Sequence, residues 1–157
     1  MNIFVLDLNP IICAKYHNDK HCVKQLLETA QLLCGVHHVT NNINDKIPYR
    51  LSHKNHPCSI WVRECLENYL WLCNLGIELS KEYTFRYNKI HKSQEVIYWC
   101  LNNLPKLNKN NKITEFNLVM PDDCKTNDVV QSYRLYYNKY KKHIAFWKNR
   151  EQPEWFF

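Results

Sequence analysis

The segment His17-Asn-Asp-Lys-His-Cys-Val-Lys-Gln-Leu-Leu-Glu28 gathers two histidines, an aspartate, two lysines, a glutamine and a glutamate into about three helical turns. At about 100° per residue, His21, Lys24, Gln25 and Glu28 share one face at i, i+3, i+4 and i+7. An acid, a base and a primary amine on one rigid face are the materials of acid–base catalysis, or of Schiff-base chemistry in which an amine attacks carbon. In such a site Glu28 is the acid/base, and Lys24 is the amine or an anion contact. His17 and His21 are proton donors or phosphate contacts, and Lys20 and Gln25 are further binding candidates. A polar helix face is also what plain solvation produces. Two details favour a covered face. Leu32 stands one turn beyond Glu28, and imidazoles are unusual where lysine and glutamate are the ordinary surface residues.

Two further clusters carry chemistry. His53-Lys54-Asn55-His56-Pro57 places two histidines three apart at a helix start, where they can meet an anion or a metal, or where His56 or Asn55 simply caps the helix. Ligation of a metal by His17, Asp19, His21 and one of this pair has no established spacing behind it, so no metal is expected. From Tyr133 to His143 and on to Arg150, tyrosines alternate with cations. Arg134, Tyr137, Lys141 and Arg150 suit a nucleic acid there, with cations on phosphates and rings on bases. The same pattern describes an amphipathic helix with half-buried tyrosines. His91 and Arg86 are weaker anion contacts, and Arg86 also pairs with Glu82 at i, i+4.

The elements that must position these residues are helical. The chain has 157 residues with 45% hydrophobic content, enough for one core. Asn2 to Asp7 reads as a strand or extended arm. Asn9-Pro10 opens a short helix, and Asn18-Asp19 breaks or recaps the chain before a long helix to about Val39, with Val23, Leu26, Leu27, Ala30, Leu33 and Cys34 on its core side. Residues 40–52 read as a loop. A helix from Pro57 runs to about Tyr87, bent near Gly76. Another spans Lys92 to Asn103 with Ser93 as cap, and a last one is capped by Thr126 or Asn127. Ile113 to Met120 fits no single pattern. The expected fold is therefore mostly α, a single compact helical domain over 1–157 with a short extended N-terminal segment.

Two glycines in the whole chain leave no room for a Gly-rich phosphate loop, and no dinucleotide or other cofactor is expected. Eight cysteines lack any Cys-x-x-Cys pair and fall largely on apolar positions, as reduced core thiols do. With no leader-like start and no long apolar run, the chain is expected in a reducing cytoplasm and not in a membrane. A formal charge of +6 fits an anionic partner, DNA or a nucleotide. Nothing in the sequence fixes an oligomeric state.

The order of these blocks resembles the pyrimidine-dimer DNA glycosylases, the endonuclease V family of bacteria, phages and large viruses. Lys20-His21-x-x-Lys24-Gln25-x-x-Glu28 is similar to the family's first helix, with His21 where arginine is usual. Lys54-Asn55-His56-Pro57 and Trp61 match its second block. The ending Asn149-Arg150-Glu151-x-Pro153-x-Trp155-Phe156 resembles that of an uncharacterised phage and large-virus branch. For a viral chain the compartment is the host cell. The resemblance implies a DNA glycosylase with AP-lyase activity. A terminal α-amine attacks the sugar of a damaged nucleotide, a glutamate assists, and the damaged site is opened or flipped. Alpha-amines as a class are nucleophilic near neutrality. Asn2 does not favour removal of the initiator methionine, so the nucleophile is expected to be the amine of Met1, or Lys24, with Glu28 as the glutamate. Two other readings stay open: an enzyme acting on nucleotides or modified bases by acid–base or metal chemistry, and a non-catalytic nucleic-acid-binding protein.

Overall fold

The computed structural model describes residues 1–40 and 46–157. Part of the loop expected over 40–52, residues 41–45, lies outside the described residues. Six α-helices are described: α1 Pro10–Tyr16, α2 Asp19–Thr40, α3 Pro57–Val62, α4 Leu66–Tyr87, α5 Ser93–Asn102 and α6 Val129–Tyr140. The fold is mostly α, and no strand occurs among the described residues. Asn9 caps α1 through its side chain with Pro10 behind it, as the sequence predicts. Asn18 caps α2, its Oδ1 accepting from the His21 N–H at 2.9 Å.

The core centres on α2. It packs against α3, α4 and α5, while α1 packs on α4. Leu26, Ala30, Leu33 and Cys34 are buried as expected, but Val23 and Leu27 are exposed. The physical reason is that α2 is covered on its polar side too. The arm Ile3–Leu6 lies there as buried extended chain, with α6 outside it. Phe4 packs its ring against those of His21, Tyr133, Tyr136 and Tyr137. What remains exposed on α2 is a narrow strip of Lys20, Val23, Lys24 and Leu27.

Other boundaries differ from the sequence reading for local reasons. The helix expected from Pro57 to Tyr87 is broken at residues 63–65. The Asn68 side chain takes the Trp61 carbonyl at 2.8 Å, and the Leu66 N–H turns to Asn108 O at 2.9 Å. Beyond the break α4 runs as one helix past Gly76. The cap ahead of α5 is His91, whose Nδ1 accepts from the Ser93 N–H at 3.1 Å, rather than Ser93. Asp128, not Thr126 or Asn127, caps α6 by accepting from Gln131 N–H at 2.8 Å. Ile113 to Met120 is an irregular strap. Asn68 and Tyr133 hold it by accepting from or donating to the backbone at Thr114, Asn117 and Val119.

A buried ion cluster ties the ends of the chain to α4. The Arg86 guanidinium donates to Glu82 at 3.0 Å, to Asp19 at 3.0 Å, and to the carbonyls of His17 and Lys15 at 2.8 and 3.0 Å. Arg150 adds two bonds to Glu82, of 2.8 and 3.0 Å. Burial alone would raise the Glu82 pKa, but Arg150 and Arg86 together hold it below the usual range. All eight cysteines are free and buried. None of the described helices is long and apolar enough to cross a membrane.

Gly76 is required by close approach. A Cβ there would stand 2.9 Å from Ile97 Cδ1 and 3.0 Å from Thr29 Cγ2, both on stiff, buried, β-branched side chains. Gly76→Ala is expected to destabilise the protein by about 1–3 kcal/mol through overpacking. Urea unfolding checks this, and an unshifted midpoint would contradict it.

Candidate active site

The N-terminal arm crosses α2 and leaves a cleft of 270 Å³ beside it. Met1 and Asn2 form one wall, His21, Lys24, Gln25 and Glu28 the floor, and Tyr136 and Lys141 the far side. The four floor residues are the i, i+3, i+4, i+7 set read from the sequence, and one helix face brings them together. Glu28 is 8% exposed and sits at the base. Its Oε2 accepts from Gln25 Nε2 at 2.9 Å and from the Asn2 backbone N–H at 3.2 Å. Lys24 Nζ lies 3.5 Å from Oε1, on a side chain that is 68% exposed. The carboxylate is thus fixed by buried donors, while the lysine reaches it from solvent.

Asn2 makes this geometry possible. Its Nδ2 donates to Val119 O at 2.8 Å, and its Oδ1 accepts from Ile3 N–H at 2.8 Å and lies 3.0 Å from the Tyr133 hydroxyl, whose one proton it shares with the Asn117 carbonyl. The anchor holds the first backbone bond of the chain over Glu28 and puts Met1 in the cleft. Sequence reasoning treated Asn2 only as an obstacle to methionine removal and missed this role. Nothing in its neighbours signals it, because the Val119 carbonyl and the Tyr133 hydroxyl that anchor its side chain lie 117 and 131 residues away.

His21 lines the cleft, and its surroundings favour the neutral ring. Burial first, then His17, Lys141 and Lys24, pull its pKa down to about 3. Lys141 does face the cleft, with Nζ 4.8 Å from the Tyr136 ring centre. His56 caps α3, its Nδ1 accepting from Cys58 N–H at 3.1 Å. It does not line the cleft, although the N-terminal charge and Glu28 both act on its pKa, which burial chiefly lowers.

Several expected contacts are structural instead. His17 is fully buried and donates from Nδ1 to Cys13 O at 2.7 Å, and burial takes its pKa to about 4. Tyr137 is fully buried against His21, and Arg86 is spent in the ion cluster. Arg134 fastens the arm, with Nε to Leu6 O at 3.0 Å and its guanidinium between the rings of Tyr16 and Trp155. Arg150 is paired with Glu82 and lies over Phe85 at 4.0 Å. His91 caps α5 and borders a separate depression with Tyr98 and Trp99. Lys20, Lys54 and Asn55 are exposed outside the cleft.

No family model, curated protein or solved structure matches the chain.

Larger depressions, of 520, 540 and 330 Å³, are weaker candidates, and no carboxylate lines the last of them. Glu115 is the sole ionisable group lining the first, and the His91 ring nitrogen in the second is occupied by its cap. Unlike these, the smaller cleft joins a buried carboxylate to amines. Among the described residues no three His, Cys, Asp or Glu side chains converge as they would on a metal ion.

Proposed function

We propose that the cleft performs amine chemistry on a deoxyribose of DNA, as a glycosylase/AP-lyase-like enzyme for damaged or modified sites. One observation carries this reading: a buried, triply contacted Glu28 carboxylate shares a small cleft with Met1 and Lys24. At 270 Å³ the cleft suits one extruded sugar or base better than a whole nucleotide. Lys24 and Lys141 at the cleft, with a net charge of +6, favour an anionic backbone alongside it.

At an abasic site the unprotonated amine adds to the C1′ aldehyde and forms a carbinolamine. Glu28 passes a proton from the amine nitrogen to the former carbonyl oxygen as the carbinolamine forms, and then relays a second proton, taken from solvent, to the hydroxyl, which leaves as water and gives an iminium. The carboxylate then removes a C2′ proton. The C–H electron pair becomes the C2′–C3′ double bond, and the 3′ phosphate departs with the C3′–O pair. The attacking amine is the α-amine of Met1 or Lys24 Nζ.

Borohydride reduction in the presence of duplex DNA with one abasic site tests this directly. A covalent protein–DNA complex is expected, and peptide mass spectrometry would place the adduct on Met1 or Lys24. Absence of any complex, with DNA binding intact, would overturn the amine-chemistry reading.

A further inference from the structure

We infer that His21 serves this cleft as a neutral N–H donor, with Tyr137 fixing the tautomer so that Nε2–H meets an oxygen of the substrate. The inference rests on the cleft being the reaction site proposed above. His21 Nδ1 lies 2.6 Å from the Tyr137 hydroxyl. Either group can donate, so the surroundings decide. Tyr137 is fully buried, and among the described residues its hydroxyl meets no other acceptor. If Nδ1–H were the donor, the phenol proton would be buried without a partner, at a cost of about 1–3 kcal/mol. The phenol therefore donates, Nδ1 accepts, and the single proton of the neutral ring sits on Nε2.

The same molecule holds the opposite arrangement as a control. His37 Nε2 is 2.8 Å from the Tyr69 hydroxyl, but Tyr69 already donates to Cys100 O at 2.9 Å, so there the imidazole is the donor. At His21 the Nε2 has no partner among the described residues. It is also not among the sealed, unpartnered atoms, whereas Nε2 of neighbouring His17 is. It opens onto the cleft that His21 lines. Burial and the nearby Lys24, Lys141 and His17 keep the ring uncharged. A neutral donor has no charge to offer a phosphate. It suits an oxygen gaining negative charge on the reacting carbon. The C1′ oxygen is one such atom: as the amine adds to the aldehyde, it takes the electron pair of the C=O π bond and then a proton.

Long-range ¹⁵N–¹H spectra of the labelled protein test the tautomer without any reaction. A protonated-type resonance at Nε2 and an unprotonated one at Nδ1, unchanged from pH 8 to 6, are expected. The reverse assignment overturns the inference. In single-turnover trapping on abasic DNA, His21→Leu should slow the covalent step by roughly 10²–10³-fold at unchanged DNA affinity. His21→Gln, whose amide N–H reaches the same position, should recover most of that loss. Tyr137→Phe should mix the two tautomers and slow the same step. Full-rate trapping by His21→Leu overturns the inference. If Tyr137→Phe does not fold, the wild-type spectrum and the two His21 variants still decide it. Absence of trapping in the wild type sinks the parent reading, while the nitrogen assignment tests the tautomer independently.

Discussion

Glu28→Gln is expected to lower the rate of covalent trapping on abasic DNA by roughly 10²–10⁴-fold, the range for loss of a general acid–base group. The substitution is close to isosteric. A glutamine carbonyl oxygen can still accept from Gln25 Nε2 and from the Asn2 N–H, the two bonds that fix the carboxylate. The pair with Lys24 is lost, but that lysine is largely exposed and its pair adds little to stability. The variant should therefore fold, bind DNA near wild-type strength and fail at proton transfer. Trapping kinetics beside a binding titration separate these effects. A rate within a few-fold of wild type would remove Glu28 from the chemistry and leave it as an anchor for the arm.

Acidification to about pH 5 is expected to unfold the protein cooperatively, ahead of the titration of most of its carboxylates. His17, His21 and His37 are buried and neutral, with burial the chief cause of pKa values near 4, 3 and 4. In the unfolded chain each returns to about 6.5. Between these limits the unfolded chain binds more protons than the folded one. The stability contributed by the neutral rings is complete above pH 6.5 and is lost as pH falls towards the folded values. With three sites the loss approaches roughly 4 kcal/mol per pH unit near pH 5, against a total stability of about 5–15 kcal/mol for ordinary domains. Glu82, whose folded pKa is depressed, gives stability present above its unfolded value and lost only at still lower pH. Far-UV circular dichroism against pH checks the expectation. A native signal at pH 4 equal to that at pH 7 would contradict it. His37→Gln should move the midpoint downward if the substitution itself is tolerated.

The helices were legible in the sequence because their signals are local. Asn9-Pro10 reads as a helix start and is one, and the period of α2 places His21, Lys24, Gln25 and Glu28 on one face. Which faces are buried was not legible. Val23 and Leu27 were assigned to the core by the same period that correctly placed Leu26 and Leu33 there. The error arose because the polar face of α2 is covered by chain from elsewhere, so the helix has no simple wet side. The same cause misled the choice of ligands. Arg86, Arg134 and Tyr137 are residue types that bind nucleic acid when exposed, and each is consumed here by a long-range contact. Asn2, Tyr136 and the Val119 carbonyl were invisible for the converse reason, since they matter only where the fold brings them.

The arm that roofs the cleft has a consequence for how the protein is made. Asn2 is bonded to Tyr133 and Leu6 to Arg134, contacts that span 131 and 128 residues of chain. During synthesis the apolar residues 3–6 emerge long before their partners and wait, unpaired, until the segment carrying Tyr133 and Arg134 has left the ribosome. Helices α2 to α5 can associate earlier, because their contacts close shorter loops. The cleft is therefore expected to appear only in the final step of folding. A nascent or truncated chain lacking α6 would hold the Lys24 and Glu28 helix without the arm in place over it, so the cleft would be complete only once α6 has been made and packed.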